Sequence, residues 1–150
     1  MPDAPKLEEI YGRRMKRFLR KPIGPYSHAI RARNLAKGGL LFIAGQIALD
    51  KDDRVVGAGD IVRQYEAILD QIAMILEDAG GSLDQVVKLV HYVAMDVSSS
   101  RYLEEIYPRI SDVRRRCFKT KRFPVSSMVG VTSLMRKGAL IEVDAIAVLL

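Results

Sequence analysis

The chain has 150 residues, of which 49% are hydrophobic and 28% charged, the balance of an ordinary globule rather than of a disordered or fibrous chain. That length lets one domain bury a core without disulfides or a structural metal, and no apolar run approaches the roughly 20 residues of a bilayer-spanning helix. The net charge of +6 points to acidic partners, and it is concentrated at Arg13, Arg14, Lys16, Arg17, Arg20 and Lys21 and again at Arg114, Arg115, Arg116, Lys119, Lys121 and Arg122.

Cys117 is the single cysteine, and no His/Cys cluster has zinc spacing, so the chain reads as cytoplasmic and metal-free. No charged stretch near the start is followed by an apolar h-region, so export is not expected.

Residues 6 to 19 place Leu7, Ile10, Tyr11, Met15 and Phe18 at helical spacing, which predicts a basic amphipathic helix ended by Pro22. Residues 1–21 thus form an arm appended to a domain spanning residues 22–150. Residues 27 to 33 and 39 to 47 favour strands, with Lys37, Gly38 and Gly39 between them as the turn of a hairpin. Asp60 caps a helix whose apolar stripe is Ile61, Tyr65, Ile68, Leu69, Ile72, Ile75 and Leu76, closed by Gly80 and Gly81.

After a capping segment from Ser82 to Gln85, the β-branched run over residues 86 to 95 predicts a largely buried strand. Ser98 or Ser99 starts a second helix carrying Tyr102, Leu103, Ile106, Ile110 and Val113 inward, and Pro108 bends it by removing a backbone donor. Two more strands follow, around residues 127 to 132 and 139 to 149. The order β-β-α-β-α-β-β describes an α+β two-layer sandwich with helices over one sheet face. The other face has no cover within the chain, and bare apolar sheet surface is a cue for association.

Four stretches in register resemble the RidA (YjgF) family: Gly24-Pro25-Tyr26-Ser27-His28-Ala29, Ala44-Gly45-Gln46-Ile47, the run from Ala79-Gly80-Gly81-Ser82 to Val87-Lys88, and Ile141-Glu142-Val143-Asp144-Ala145-Ile146-Ala147. The resemblance implies a chorismate-mutase-like fold assembled as a homotrimer around a central β-barrel, with clefts at the subunit interfaces. It also implies hydrolysis of reactive enamines and imines to keto acids and ammonia, without a cofactor.

In that chemistry an arginine in a Pro-x-Arg-Ser pattern grips the substrate carboxylate, because a planar guanidinium matches its geometry. The matching stretch here is Pro124-Val125-Ser126-Ser127, so the arginine position falls on Ser126. The family's Ser-Gly-Gln is Ala44-Gly45-Gln46, an asparagine common in the family is Glu104, and the segment Leu134-Met135-Arg136-Lys137-Gly138 is one residue longer than usual. The chain reads as a divergent branch of the family.

What the resemblance keeps is the water-handling group, Glu142, whose carboxylate would orient or deprotonate the attacking water. Tyr26, Gly45, Ser126, Ser127 and Glu104 would line the substrate pocket, and a substitute cation would come from Arg122, Arg136 or Lys137. The bland readings are a strand carboxylate paired with a base for Glu142 and turn residues for the two serines. No motif places a histidine to activate those serines, since His28 and His91 fall in predicted strands as packed or exposed rings.

Three functions stand open: a deaminase acting on a small carboxylate or carbonyl metabolite, a metabolite-binding or regulatory trimer without turnover, and RNA binding or ribonuclease-type translation inhibition through the basic arm.

Overall fold

The computed structural model describes residues 6–21, 28–33, 38–120 and 123–149. Its elements in chain order are β1 (Lys6–Ile10), α1 (Arg13–Phe18), β2 (Ala29–Arg33), β3 (Gly39–Ile47), α2 (Ile61–Asp78), β4 (Val86–Val93), α3 (Tyr107–Cys117), β5 (Val125–Gly130) and β6 (Ile141–Leu149). The six strands form one mixed sheet ordered β1-β2-β3-β6-β4-β5, antiparallel except for the β4–β5 pair. From β2 onward the element order is the one the sequence predicts, and the architecture is α+β.

The longest helix forms where its signals converge. The Asp60 carboxylate accepts the Val62 and Arg63 N–H groups at 3.0 and 3.1 Å, and Gly80 ends the helix at φ +84°, a conformation open to glycine. Tyr65, Ile68, Leu69, Ile72, Ile75 and Leu76 are fully buried against Leu41, Ile43, Leu89, Val143, Ala145 and Ala147 of the sheet, burial that drives the helix onto this face. Ser99 Oγ accepts the Tyr102 N–H at 3.2 Å and opens the second helical segment. A π-helical turn over Arg101–Ile106 leads into α3, with Pro108 in the first turn of α3, where its missing N–H costs least.

The arm departs from expectation. A single helix over residues 6 to 19 does not form: β1 pairs antiparallel with β2, from Lys6↔Arg33 to Ile10↔Ala29, and only the six residues of α1 are helical. The open edge of β2 offers a row of hydrogen-bonding groups that a nearby strand satisfies better than solvent does, and Gly12 interrupts any continuous helix. Ile10, Met15 and Leu19 belong to the core.

No helix among the described residues is long and apolar enough to cross a membrane. The sheet face opposite the helices carries exposed Ile30, Phe42, Val125 and Val129.

Candidate active site

The site grows out of an irregularity in β3. Ile43 pairs with Ala145 and Gln46 with Val143 on β6, so Ala44 and Gly45 together oppose Asp144 alone. This bulge re-aims the backbone of β3 at its neighbour, a device common beside functional sites. A Cβ at position 45 would lie 2.9 Å from Glu142 Cδ and 3.1 Å from Cγ, and would collide with Oε1; only glycine leaves the carboxylate its place. Gln46 holds the bulge from below, its buried amide donating to Ala44 O at 3.0 Å.

Across the sheet, Tyr92 of β4 stands directly opposite Glu142, and Val90 opposite Asp144. Glu142 and Asp144 are two apart on one strand and share a face. Tyr92, Glu142, Asp144 and Gly45 line an open groove of about 390 Å³, walled on its other side by Val131, Ser133, Leu134 and Met135.

The electrostatics follow from this crowding. Burial pushes the Glu142 carboxyl above the usual glutamate range, and the like charge of Asp144 adds to the shift. Burial also raises Asp144, opposed by Lys88, by the Tyr92 hydroxyl that donates to it and by the Val90 backbone. Tyr92 in turn is raised, first by the Asp144 charge. Two carboxylates with elevated proton affinity beside a phenol form a proton-handling cluster.

The other candidate residues sit elsewhere. Ser126 is on the edge strand β5, on the face opposite Glu142, with its Oγ 3.4 Å from His91 Nδ1. Ser127 pairs with Val90 and so shares the Glu142 face. Its carbonyl accepts from His91 Nδ1 at 2.9 Å. Glu104 is exposed in the π-helical turn. Arg136 is engaged by Asp53, which also meets Arg20 at 3.5 Å. Lys137 is exposed. Tyr26 and Arg122, with the stretch from Gly24 to Ser27, lie outside the described residues. Burial pushes the Cys117 thiol up and Asp70 adds to it, so the basic run around this residue does not make a thiolate of it.

Sequence reasoning missed Tyr92, Asp144 and Lys88. Alternation along β6 places Asp144 beside Glu142, but finding Tyr92 requires the β4–β6 register. It also missed a trio built on two buried side chains. Tyr65 OH lies 3.1 Å from His91 Nε2, and Arg114 Nε donates to Tyr65 OH at 3.2 Å.

A model of the Endoribonuclease L-PSP family matches residues 18–149. The chain belongs to this family, also called RidA, YjgF or RutC. A RutC family protein of Pyrococcus horikoshii is 38% identical over 130 residues, covering 85% of this chain and 89% of the relative. The 3-aminoacrylate deaminase RutC of Acinetobacter baylyi is 32% identical over 126 residues, covering 84% and 88%. The crystal structure of RidA from an Antarctic Psychrobacter matches with a TM-score of 0.66 and 26% identity, over 85% of this chain and 91% of that one. Membership in the RidA family thus rests on sequence and fold together.

Proposed function

We propose that the chain is a hydrolytic deaminase of small enamine or imine metabolites, releasing a keto acid and ammonia. The observation that carries this reading is the Glu142 carboxylate, held against the Gly45 bulge in an open groove with its proton affinity raised above that of a free glutamate, which makes it a stronger general base. A relative that bears the name of a 3-aminoacrylate deaminase supports it. Glu142 takes a proton from water as the oxygen adds to the imine carbon. That proton passes to the imine nitrogen, the new hydroxyl gives up its own proton through the carboxylate to the same nitrogen, and as the C–N bond breaks ammonia leaves a ketone behind. Tyr92, held by Asp144, orients the polar end of the substrate.

The working form is a homotrimer. The exposed apolar face with Ile30, Phe42, Val125 and Val129 is its packing surface, and the cleft pairs Glu142 and Gly45 of one chain with Ser126 and Glu104 of the next. Ser126 and Glu142 lie on opposite faces of one chain, which favours a site shared between chains. Light scattering that gives a monomer mass removes this part of the reading.

Ammonia and keto-acid release from freshly generated 2-aminoacrylate and bulkier imino acids tests the chemistry, with Glu142→Gln as the comparison. Turnover lost in the variant supports the deaminase. Silence across the panel from a folded trimer favours a metabolite-binding protein without turnover, consistent with serine at the position of the family's arginine.

RNA binding through the arm is a second reading, favoured by the Phe18 ring, which is 45% exposed with the Arg14 and Arg17 guanidinium groups 5.9 and 5.0 Å from its centroid. An exposed ring flanked by cations can stack a base. Single-stranded RNA affinity that falls steeply with salt, and falls again in Phe18→Ala, is the expected signature.

A further inference from the structure

Three arginines follow one another at the end of α3, and two of them are spoken for. Arg115 pairs with Asp112, and Arg116 reaches Glu66 at 2.6 Å. Arg114 has no carboxylate partner among the described residues. Its Nε donates to Tyr65 OH at 3.2 Å and its Nη2 lies 3.4 Å from His91 Nε2. The Nη1 end makes no hydrogen bond among the described residues and is not buried.

The groups that hold this guanidinium are neutral. His91 Nδ1 donates to Ser127 O at 2.9 Å, which leaves Nε2 as the acceptor for Tyr65 OH. Burial lowers the pKa of this imidazole to about 4 and raises that of the Tyr65 phenol, so neither supplies a countercharge. A half-buried cation set among neutral groups, with donors unused, is a site waiting for an anion. Ser126 Oγ approaches the same imidazole from its other side, 3.4 Å from Nδ1. The imidazole thus stands between the Arg114 guanidinium at Nε2 and the Ser126 hydroxyl at Nδ1.

We infer that Arg114, fixed by Tyr65 and His91, is the carboxylate-binding residue of this protein. The inference deepens the deaminase reading and rests on it for the identity of the ligand, a 2-keto or 2-imino acid. The two-pronged grip on the carboxylate comes from a helix instead of from the β5 strand.

The test compares binding of 2-oxobutanoate with binding of its uncharged amide by calorimetry, using the full chain. The wild type is expected to prefer the carboxylate. Arg114→Gln, which can still reach Tyr65 OH, is expected to weaken 2-oxobutanoate about 10-fold to 100-fold and leave the amide unchanged, so that the preference collapses. A purely structural role for Arg114 would weaken both ligands alike. Adding Ser126→Arg to Arg114→Gln is expected to restore the preference.

An Arg114→Gln protein that keeps the full carboxylate preference overturns the inference, as does a wild type with none. Should the variant fail to fold, wild-type crystals soaked in 2-oxobutanoate decide instead. A carboxylate within hydrogen-bonding distance of Arg114 upholds the inference, and a carboxylate elsewhere or no bound ligand overturns it. Ammonia release separates this from the parent reading. Turnover with the preference intact in Arg114→Gln sinks Arg114 alone, while binding through Arg114 without turnover sinks the deaminase and keeps the site.

Discussion

The Glu142 carboxylate occupies the space that a side chain at Gly45 would need: a Cβ there would come within 2.9 Å of Glu142 Cδ and closer still to Oε1. The glycine sits in the β3 bulge opposite Asp144, so the same irregularity that bends the strand also seats the carboxylate. Gly45→Ala is expected to push Glu142 out of position while leaving the fold intact, because the atoms in the way belong to a side chain that can rotate. Turnover should fall by about tenfold or more, since a misplacement of an ångström at a reacting group has large consequences. The melting temperature should move little, and steady-state kinetics beside a thermal melt checks both.

Glu142→Gln should lose turnover and gain stability. Burial and Asp144 both disfavour the charged carboxylate in the folded chain, so the folded state holds this proton more tightly than the unfolded one. The penalty is absent below the ordinary glutamate range, grows as pH rises through it, and is complete once pH passes the raised folded-state value. The amide removes that penalty. Half-exposure screens the effect, so the gain is less than about 1 kcal/mol at neutral pH, and it should vanish in acid. Melts of the two proteins at acid and neutral pH test the sign; a variant less stable at neutral pH would show that the carboxylate is favourably held.

His91 sets a second pH dependence. It is fully buried and its pKa falls to about 4, chiefly through burial, with Arg114 also opposing its charge. Between its ordinary value near 6.5 and about 4, the unfolded chain takes up a proton that the folded chain refuses, so stability declines as pH falls through this window. The loss amounts to roughly 3 kcal/mol at most. Burial lowers His28 as well, which adds to the slope in the same direction. His91→Gln, which keeps both a donor and an acceptor, should flatten the decline. Denaturant midpoints taken at several pH values measure it, and an unchanged slope in the variant would assign the effect to other groups.

The parts that sequence alone disclosed are those whose determinants are local. α2 was legible because the Asp60 cap, the apolar stripe and the Gly80 stop lie within one stretch. β3 was legible from strand-favouring residues after the turn at Gly38 and Gly39, and Gly45 and Glu142 from the motifs around them. Residues 6 to 19 form a strand and a short helix although their apolar positions suit one helical period, because the decisive partner, the edge of β2, lies 19 to 27 residues further along the chain. Tyr92 and Asp144 escaped for a related reason. β4 carries a register shift between Val86 and Lys88, and a slip of one residue reverses which side chains face the groove. The contacts of His91 with Tyr65 and of Tyr65 with Arg114 span 26 and 49 residues, a distance that periodicity cannot bridge.

The seating of α1 yields the last prediction. Six residues are too few for a helix to persist alone in water, and neither its N-cap residue Gly12 nor its first turn supplies a side-chain cap or an acidic group. The carboxylate comes instead from Asp78 at the end of α2, which accepts the Met15 N–H at 2.7 Å and the Arg14 N–H at 3.2 Å. An acidic residue is poorly placed at the C-terminus of its own helix, so its value lies in capping its neighbour. Gly12 makes room for it, since a Cβ there would lie 2.8 Å from Asp78 Cβ and 2.6 Å from Cγ. Asp78→Ala should cost about 1–2 kcal/mol, the usual loss for a helix cap, and Gly12→Ala should loosen the same helix by wedging it from α2. Hydrogen exchange is the sensitive measure. Amides of residues 13–18 should lose protection in both variants while those of α2 keep theirs. Protection retained at Met15 in Asp78→Ala would mean that burial of the Met15 side chain, and not the shared carboxylate, holds α1 in place.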